Sequence, residues 1–425
     1  MSRLLQLLPV STGERVLEII PALQAALAGT GPALLPVPGD DDVETGRLAT
    51  SLAAGTELAG WEDDPSDPTA LVVATSGSTG APKGALLPTA ALAASACATR
   101  QRLAGDSAAE AGNWLLPLPA THIAGLQVIL RAVAEGTAPT VLDTAEPFTA
   151  VRFVKAVGRM PGGRRFTSLV PTQLQRILDD PDATSALTLF DGVLVGGAAT
   201  SESLLARAHQ AGIAIVTSYG MSETCGGCVY DGVPLDDVQL RLDTDGDPAV
   251  GAGHPGRVSI TGPVVARGYR GQPAHPSFPS PEGGLRTFHT ADLAVHDGGR
   301  WRIVGRVDDV ITTGGIKIDP AVVEAVLHQL AGVADVVITG IPDPAWGESL
   351  VAVVVAAVDG PPDLRTLRRT VGARLGAAAA PKHLVLIDRL PLRGPGKPDR
   401  AAIRRLATAE VTARLLDPAG PEVIW

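Results

Sequence analysis

Residues 75–84 read TSGSTGAPKG, a run of small and hydroxyl side chains that ends in a lysine. Small residues let backbone N–H groups come close to phosphate oxygens. Thr75, Ser76, Ser78 and Thr79 add hydroxyl donors, Gly77 and Gly80 open the backbone, and Lys83 adds positive charge. An apolar run, LVVAT, precedes the segment and a helix-forming stretch, 86–102, follows it, so the expected setting is a strand-to-helix loop at which anions bind. The chemistry implied is the binding of a triphosphate. The segment is not a P-loop, which needs Gly directly before the lysine and Ser or Thr after it, because Pro82 and Gly84 hold those places.

The elements that position this loop follow from apolar periodicity. Short apolar runs at 71–75, 114–119, 167–170, 192–197 and 213–220 alternate with helical patterns at 123–134, 171–178 and 201–211. Continuous Val, Ile and Leu strands separated by helices predict a parallel sheet covered on both faces, with ligands outside the strands' carboxyl ends. The polar clusters SGSTG, GGAA and SYGMSET each follow such a run, so they are expected to share one crevice. Between 231 and 305 the pattern changes to short strands punctuated by Gly and Pro, which predicts a smaller antiparallel or barrel-like element. After GRVDD (305–309) comes an α+β stretch with helices at 320–330 and 364–375 and strands at 333–340, 349–358 and 383–388. The expected fold is therefore a large α/β N-terminal domain, 1–307, with parallel sheets and a small barrel-like element, and a small α+β C-terminal domain, 308–425. The N-terminal leucine pattern predicts a buried amphipathic helix. The acidic segment WEDDPSDP (61–68) and the alanines at 377–380 are expected to be solvated connectors.

Composition narrows the class of function. With 45% hydrophobic and 19% charged residues, the chain can build sizeable cores. A formal charge of −10 leaves no basic surplus for a nucleic-acid backbone or an anionic membrane, so a polyanion must meet a local site. No apolar window reaches the roughly eighteen residues of a membrane span, and no small-residue cleavage site follows the N-terminal apolar runs, which points to the cytoplasm. Three cysteines are too few for a disulfide framework, and Cys225-Gly-Gly-Cys228 is expected to be ordinary packing beside a glycine turn.

Four further segments, in order, extend the phosphate loop. Tyr219-Gly220-Met221-Ser222-Glu223-Thr224 offers an aromatic face that suits a purine and a carboxylate that suits a hard cation. Thr290-Ala-Asp292-Leu, Gly305-Arg306-Val-Asp308-Asp and the loop PLRGPGKPDR with Lys397 follow. Together with TSGSTGAPKG they resemble the motifs of the adenylate-forming superfamily, which includes acyl-CoA synthetases, and the resemblance runs over about residues 70–405. It implies activation of a carboxylic acid as an acyl-adenylate, with ATP and coenzyme A as co-substrates and Mg2+ as cofactor. It places Thr75 to Gly80, Lys83, Gly197, Ala198 and Ser218 to Ser222 around the nucleotide, with Tyr219 on adenine and Glu223 on magnesium. Asp292 and Arg306 take the ribose, Lys397 the reacting carboxylate and the α-phosphate. Asp308 is the hinge of a mobile C-terminal domain, and Gly314 and Gly315 line the coenzyme A passage unless they are a plain hairpin turn. The expected assembly is a homodimer. Some seventy residues precede the phosphate loop, fewer than is usual in the superfamily, which weighs against long-chain fatty substrates.

The acid pocket is expected among 118–126, 168–173 and 196–199, each a loop after a strand. His122 is assigned there as a catalytic, acid-contacting residue, with Ser168, Gln173, Gly196 and Ser218 as further acid contacts. The segments PATHIAGLQVILRA, TSLVPTQLQ and VLVGGAA resemble those of superfamily members whose acid carries an aromatic ring and two carboxylates. Another aryl- or acyl-CoA ligase, a carrier-directed adenylation enzyme and an inactive nucleotide-binding protein remain as alternatives.

Overall fold

The first apolar run forms a strand, β1 (Leu5–Val10), where an amphipathic helix was expected. Pro9 has no N–H to donate to a helix, and the backbone is satisfied instead by parallel pairing with β2 (Ala33–Pro38), from Leu5↔Ala33 to Val10↔Pro38. The helical turns come later, as a 3-10 stretch at Gly13–Ile19 that runs into α1 (Ile20–Leu27). The computed structural model describes residues 3–75, 82–104, 111–243, 255–281, 284–357, 360–392 and 398–416.

The chain packs as two compact units, one of 1–243, 258–290 and 297–301, the other of 244–257, 291–296 and 302–425. The expected division at 307/308 falls within the 3-10 turn Val307–Asp309.

In the first unit, α2 (Asp42–Ser51) leads to β3 (Thr69–Thr75) and β4 (Lys83–Pro88), giving a sheet in the order β1-β2-β3-β4. β4 runs antiparallel to β3, from Thr75↔Lys83 to Thr69↔Pro88. This corrects the expected strand-to-helix loop: the phosphate-loop segment joins the two strands of a hairpin, and Lys83 is the first residue of the second. The helix α3 (Thr89–Ala104) starts only after Pro88. Its first turn is held by Asp67, whose carboxylate accepts from the Ala90 N–H at 3.0 Å.

A second sheet holds β5 (Asn113–Leu116), β6 (Thr140–Val141), β7 (Arg165–Leu169), β8 (Gly192–Gly196), β9 (Ile215–Met221), β10 (Gly226–Tyr230) and β11 (Val233–Pro234), in the order β11-β10-β9-β8-β7-β5-β6. It is parallel from β9 to β6, while β10 and β11 add an antiparallel edge. The crossovers are α4 (Ile123–Ala134), α5 (Ala150–Val157), α6 (Pro171–Leu178), α7 (Pro181–Leu187) and α8 (Glu202–Gln210). Leu115, Leu169, Val193 and Val195 of the strands pack with Phe153, Leu174, Ile177, Leu187 and Leu204 of the helices. The apolar runs are divided between these two sheets, with LVVAT in the first and the later runs in the second. The 3-10 turn Ser222–Thr224 packs against β3 and β4, so the loop regions of both sheets still meet.

The acidic segment 61–68 is no solvated connector. Glu62 is 1% exposed and pairs with Arg270. Asp63 accepts two hydrogen bonds from Arg3 and one from the Thr69 N–H. Burial pushes the Asp63 carboxyl up, but Arg3 and that N–H outweigh it and hold it below the ordinary value. Asp67 pairs with Arg267 and Arg286. The acids fasten β3 and the start of α3 to the stretch 267–286. The alanine run also departs from expectation, since Ala379 and Ala380 are buried.

A third sheet, in the order β12-β13-β14-β15, comprises β12 (Gln239–Asp243), β13 (Gly256–Thr261), β14 (Thr287–Asp297) and β15 (Arg300–Arg306). The second unit holds β16 (Ile311–Thr313), β17 (Ile316–Ile318), α9 (Pro320–Leu327), β18 (Val333–Asp343), β19 (Gly347–Ala356), α10 (Leu364–Leu375), β20 (His383–Ile387) and α11 (Arg400–Leu416). Strand alternation sorts its apolar residues onto two faces. Ile338, Leu350, Ala352 and Val354 pack with Val323, Leu327, Leu367 and Val371 of α9 and α10. Val337, Val351, Val353 and Val385 pack with Ile403, Ala407 and Val411 of α11, a helix not expected from the sequence. No described helix is long and apolar enough to cross a membrane.

Candidate active site

In the first unit the ends of β8, β9 and β10 form a floor stripped of side chains. Gly196 pairs with Ser218, Gly220 with Gly227, and Met221 with Gly226. A Cβ at Gly196 would meet the Ser218 carbonyl, one at Gly220 the Gly226 carbonyl, and one at Gly227 the Ser218 hydroxyl. These strands therefore lie closer than side chains allow, and their neighbours fill the space that a Cβ would take. Tyr219 sits half-buried in β9 with Gly197 and Ala198 just beyond β8 in the neighbouring strand.

The sharp turn after β9 is fixed by Thr224 and Cys225. The Thr224 hydroxyl bonds the Met221 N–H at 3.0 Å and the Gly226 carbonyl at 2.8 Å. Cys225 takes a left-handed φ of 51°, a conformation that costs a side-chain-bearing residue about 1 kcal/mol. Two bonds to its carbonyl enforce it, from Ser95 Oγ at 3.0 Å and Gln127 Nε2 at 2.6 Å. Burial pushes the Cys225 thiol far up, so it is no nucleophile, and Cys228 is fully buried beside it. The turn presents Ser222 and Glu223.

Glu223 is 7% exposed, and its Oε1 accepts from the Tyr269 hydroxyl at 2.7 Å. Tyr269 reaches it because 267–270 runs along the edge of β4: Arg267 N bonds Leu86 O, Leu86 N bonds Gly268 O and Arg270 N bonds Gly84 O, all at 2.8 to 2.9 Å. The Ala266 N–H also bonds the Glu223 carbonyl at 2.8 Å. Lys83 Nζ lies 5.0 Å from the centre of the Tyr269 ring and 3.2 Å from His275 Nε2. His275 stands edge-on to Tyr269, with centroids 4.8 Å apart. The lysine at the end of the phosphate loop and the glutamate of the β9 turn are thus joined through Tyr269. Neither Tyr269 nor His275 was singled out from the sequence, since their partners lie 46 and 192 residues away and no spacing rule links them.

The acid-pocket residues divide. His122 is the N-cap residue of α4, exposed, in the loop that Gln173 braces. Ser168 is buried in β7. Gln173 is committed to the backbone: its Oε1 accepts from Val170 N at 3.1 Å and its Nε2 donates to Pro117 O at 2.9 Å. Both ends of the amide thus hold the loops in place, each with one further hydrogen-bonding position left over. Gln127, which was not anticipated, lies beside Gly226, where an added Cβ would stand 3.1 Å from its Cγ.

In the second unit Asp292 is 6% exposed and accepts from Arg306 Nη1 at 2.6 Å. Arg306 also reaches Asp308 at 3.4 Å. Burial pulls the guanidinium down, but Asp292, Asp309 and Asp308 outweigh it and raise it above its ordinary value. Gly314 and Gly315, with φ of 57° and 79°, form the two-residue turn between β16 and β17, as the strand register Thr313↔Ile316 requires. A Cβ at Gly314 would come within 2.7 Å of the Trp346 ring. Ser76, Gly77, Ser78, Thr79, Gly80 and Lys397 lie outside the described residues.

Comparison with known proteins gives the family and the fold. Residues 27–270 match the model of the AMP-binding enzyme family and 322–397 that of the AMP-binding enzyme C-terminal domain. The chain is 43% identical over 406 residues to a probable 2-succinylbenzoate–CoA ligase of Mycobacterium tuberculosis, covering 94% of this chain and 98% of that one. It is 33% identical over 422 residues to a feruloyl-CoA synthase of an Amycolatopsis species, covering 91% and 81%. It shares its fold with the o-succinylbenzoate CoA synthetase of Bacillus subtilis solved with the acyl-adenylate OSB-AMP, at a TM-score of 0.75 and 23% identity, over 95% of this chain and 88% of that one. The large α/β domain and the smaller C-terminal domain are those of an adenylate-forming ligase, and the chain belongs to the AMP-binding enzyme family.

Proposed function

We propose that the chain joins 2-succinylbenzoate to coenzyme A through an acyl-adenylate, releasing AMP and pyrophosphate, as a cytoplasmic step of menaquinone biosynthesis. The observation that carries this reading is 43% identity across 98% of the length of the probable 2-succinylbenzoate–CoA ligase.

In the first half-reaction a carboxylate oxygen attacks the α-phosphorus of ATP and pyrophosphate departs. Two anions must be brought together, so positive charge and aimed donors decide the rate. Tyr219 stacks on adenine above the glycine floor, with Thr75, Ser76 to Gly80, Lys83, Ser218 and Ser222 around the phosphates. Asp292 accepts from the ribose hydroxyls while Arg306 fixes one of its oxygens. Lys397 bridges the reacting carboxylate and the α-phosphate. Magnesium suits the donor set, since Glu223 offers one hard carboxylate and the ion needs only one or two beside substrate phosphates. Among the described residues there is no cluster of three His, Cys, Asp or Glu that would favour a caged metal instead. Bound there, the ion would neutralise phosphate charge, and Tyr269 would hold Glu223 in the orientation needed. In the second half-reaction the thiol of coenzyme A attacks the acyl carbon and AMP leaves. The C-terminal domain turns about Asp308 to admit it, past Gly314 and Gly315.

The pocket near His122, Gly196 and Ser218 must take an aromatic ring and a second carboxylate. The 33% identity to a feruloyl-CoA synthase keeps another aryl acid as a second reading. A panel of 2-succinylbenzoate, benzoate, ferulate and medium-chain fatty acids, supplied with ATP, Mg2+ and coenzyme A, separates the two. Thioester should form from 2-succinylbenzoate with kcat/KM about a hundredfold or more above benzoate, which lacks the succinyl arm and its carboxylate. Ferulate as the best acid would replace the substrate named here while keeping the reaction.

A further inference from the structure

His275 belongs to none of the segments that carry the adenylate-forming resemblance, yet its ring points at the lysine of the phosphate loop. Its two nitrogens can be assigned from their partners. Nδ1 accepts from the Ser277 N–H at 3.1 Å, so a neutral ring carries its proton on Nε2. Burial and the Lys83 charge both hold this imidazole below its ordinary value, which favours the neutral ring. Nε2 faces Lys83 Nζ at 3.2 Å. An ammonium has three donors and no acceptor, so Lys83 and His275 meet donor to donor. Such a pair is unfavourable alone and becomes favourable when one anionic oxygen accepts from both.

The surroundings fix the pair in place. Tyr269 lies under Lys83 and edge-on to His275, and Phe278 packs edge-on to the same ring with centroids 5.0 Å apart. The His289 N–H bonds the Ser277 carbonyl at 2.9 Å, which ties the loop carrying His275 to β14. Tyr269 spends its hydroxyl on Glu223 and so turns its ring, not its donor, toward the lysine.

We propose that His275 Nε2 and Lys83 Nζ form a two-donor clamp for a terminal phosphate oxygen of ATP, and for the pyrophosphate that leaves. The clamp rests on the adenylation reading above and adds to it a residue that distinguishes triphosphate and pyrophosphate from AMP. Calorimetric titration of the full chain with α,β-methylene-ATP, pyrophosphate and AMP tests it, using the wild-type protein, His275→Ala and His275→Gln. His275→Ala should weaken α,β-methylene-ATP and pyrophosphate about tenfold, the loss of one charge-assisted hydrogen bond, and leave AMP within about twofold. His275→Gln, whose amide N–H reaches the place of Nε2, should recover most of that loss. Equal weakening of all three ligands would show that His275 merely supports the fold, and no weakening would show that it donates nothing; either overturns the clamp while leaving the adenylation reading intact. A wild-type protein that binds neither nucleotide removes that reading, and the clamp with it.

Discussion

Replacing Lys397 by alanine is expected to lower acid-dependent ATP–pyrophosphate exchange about a hundredfold or more, while thioester formation from supplied acyl-adenylate falls far less. The asymmetry follows from where charge must be offset. In the first half-reaction an anionic carboxylate closes on an anionic α-phosphate, and in a site from which water is excluded one aimed cation contributes about two to three powers of ten. In the second, the acyl carbon under attack belongs to a mixed anhydride whose leaving group is already formed, and the domain that carries Lys397 has to turn away for the thiol to enter. Arginine should rescue little, because its planar fork cannot place a point charge between two oxygens as an ammonium can. Measuring the two half-reactions separately checks this. Equal losses in both would contradict the assignment of Lys397 to adenylation.

Glu62→Ala is expected to destabilise the chain by about 3 kcal/mol or more, although Glu62 takes no part in the chemistry. Its carboxylate accepts from Arg270, from the Gly271 N–H at 2.7 Å and from the Ala59 N–H at 2.8 Å. Arg270 is itself 9% exposed and also bonds Thr56 Oγ1 at 2.6 Å and the Leu52 and Glu57 carbonyls. Truncation would leave a buried guanidinium without its counter-charge and two N–H groups without their acceptor, which outweighs the loss of one surface pair by several-fold. Glu62→Gln keeps the shape and an acceptor oxygen, so it should cost clearly less. Urea midpoints of the two variants test the ordering. A loss for Glu62→Ala below about 1 kcal/mol would return the acidic segment to the surface role its composition suggests. Because 267–271 also places Tyr269 beside Lys83 and Glu223, the alanine variant should lose exchange activity before it unfolds.

The sequence was most informative where function restricts residue type. TSGSTGAPKG, SYGMSET, TADL and GRVDD could be recognised as a set because close backbone approach, a purine face, a carboxylate and a ribose partner each demand particular side chains in a fixed order. Strand-to-helix alternation was equally plain for α4 and α6, whose bounds the apolar periodicity matched. Three features were hidden for physical reasons. LQLLPV has the apolar spacing of a helix as much as of a buried parallel strand, and Pro9 was the residue that should have decided it. GALLP, short and apolar, has no length from which to tell strand from helix, so the hairpin at 75–83 reads in sequence as a strand-to-helix turn. The acidic string WEDDPSDP looked solvated because the arginines that bury it, Arg3, Arg267, Arg270 and Arg286, are scattered along the chain. Helix α11 could have been inferred. VVI (336–338) and LVAVVV (350–355) are apolar at every position, so both faces of their sheet need cover, and Ile403, Ala407 and Val411 recur at the spacing of one helix face. Gln173 shows the limit for the acid pocket, since a polar residue in the right loop can also serve to hold that loop.

The central claim is that a carboxylate oxygen bonds to the α-phosphorus of ATP before the thiol arrives. Incubating the full chain with 18O-carboxyl-labelled 2-succinylbenzoate, ATP, Mg2+ and coenzyme A, and weighing the products by mass spectrometry, follows that oxygen directly. If an acyl-adenylate forms, the attacking oxygen stays with phosphorus when the thiol displaces AMP, so AMP carries one 18O and the thioester carbonyl retains the other. Unlabelled AMP, or label in inorganic phosphate with ADP as the nucleotide product, would contradict it.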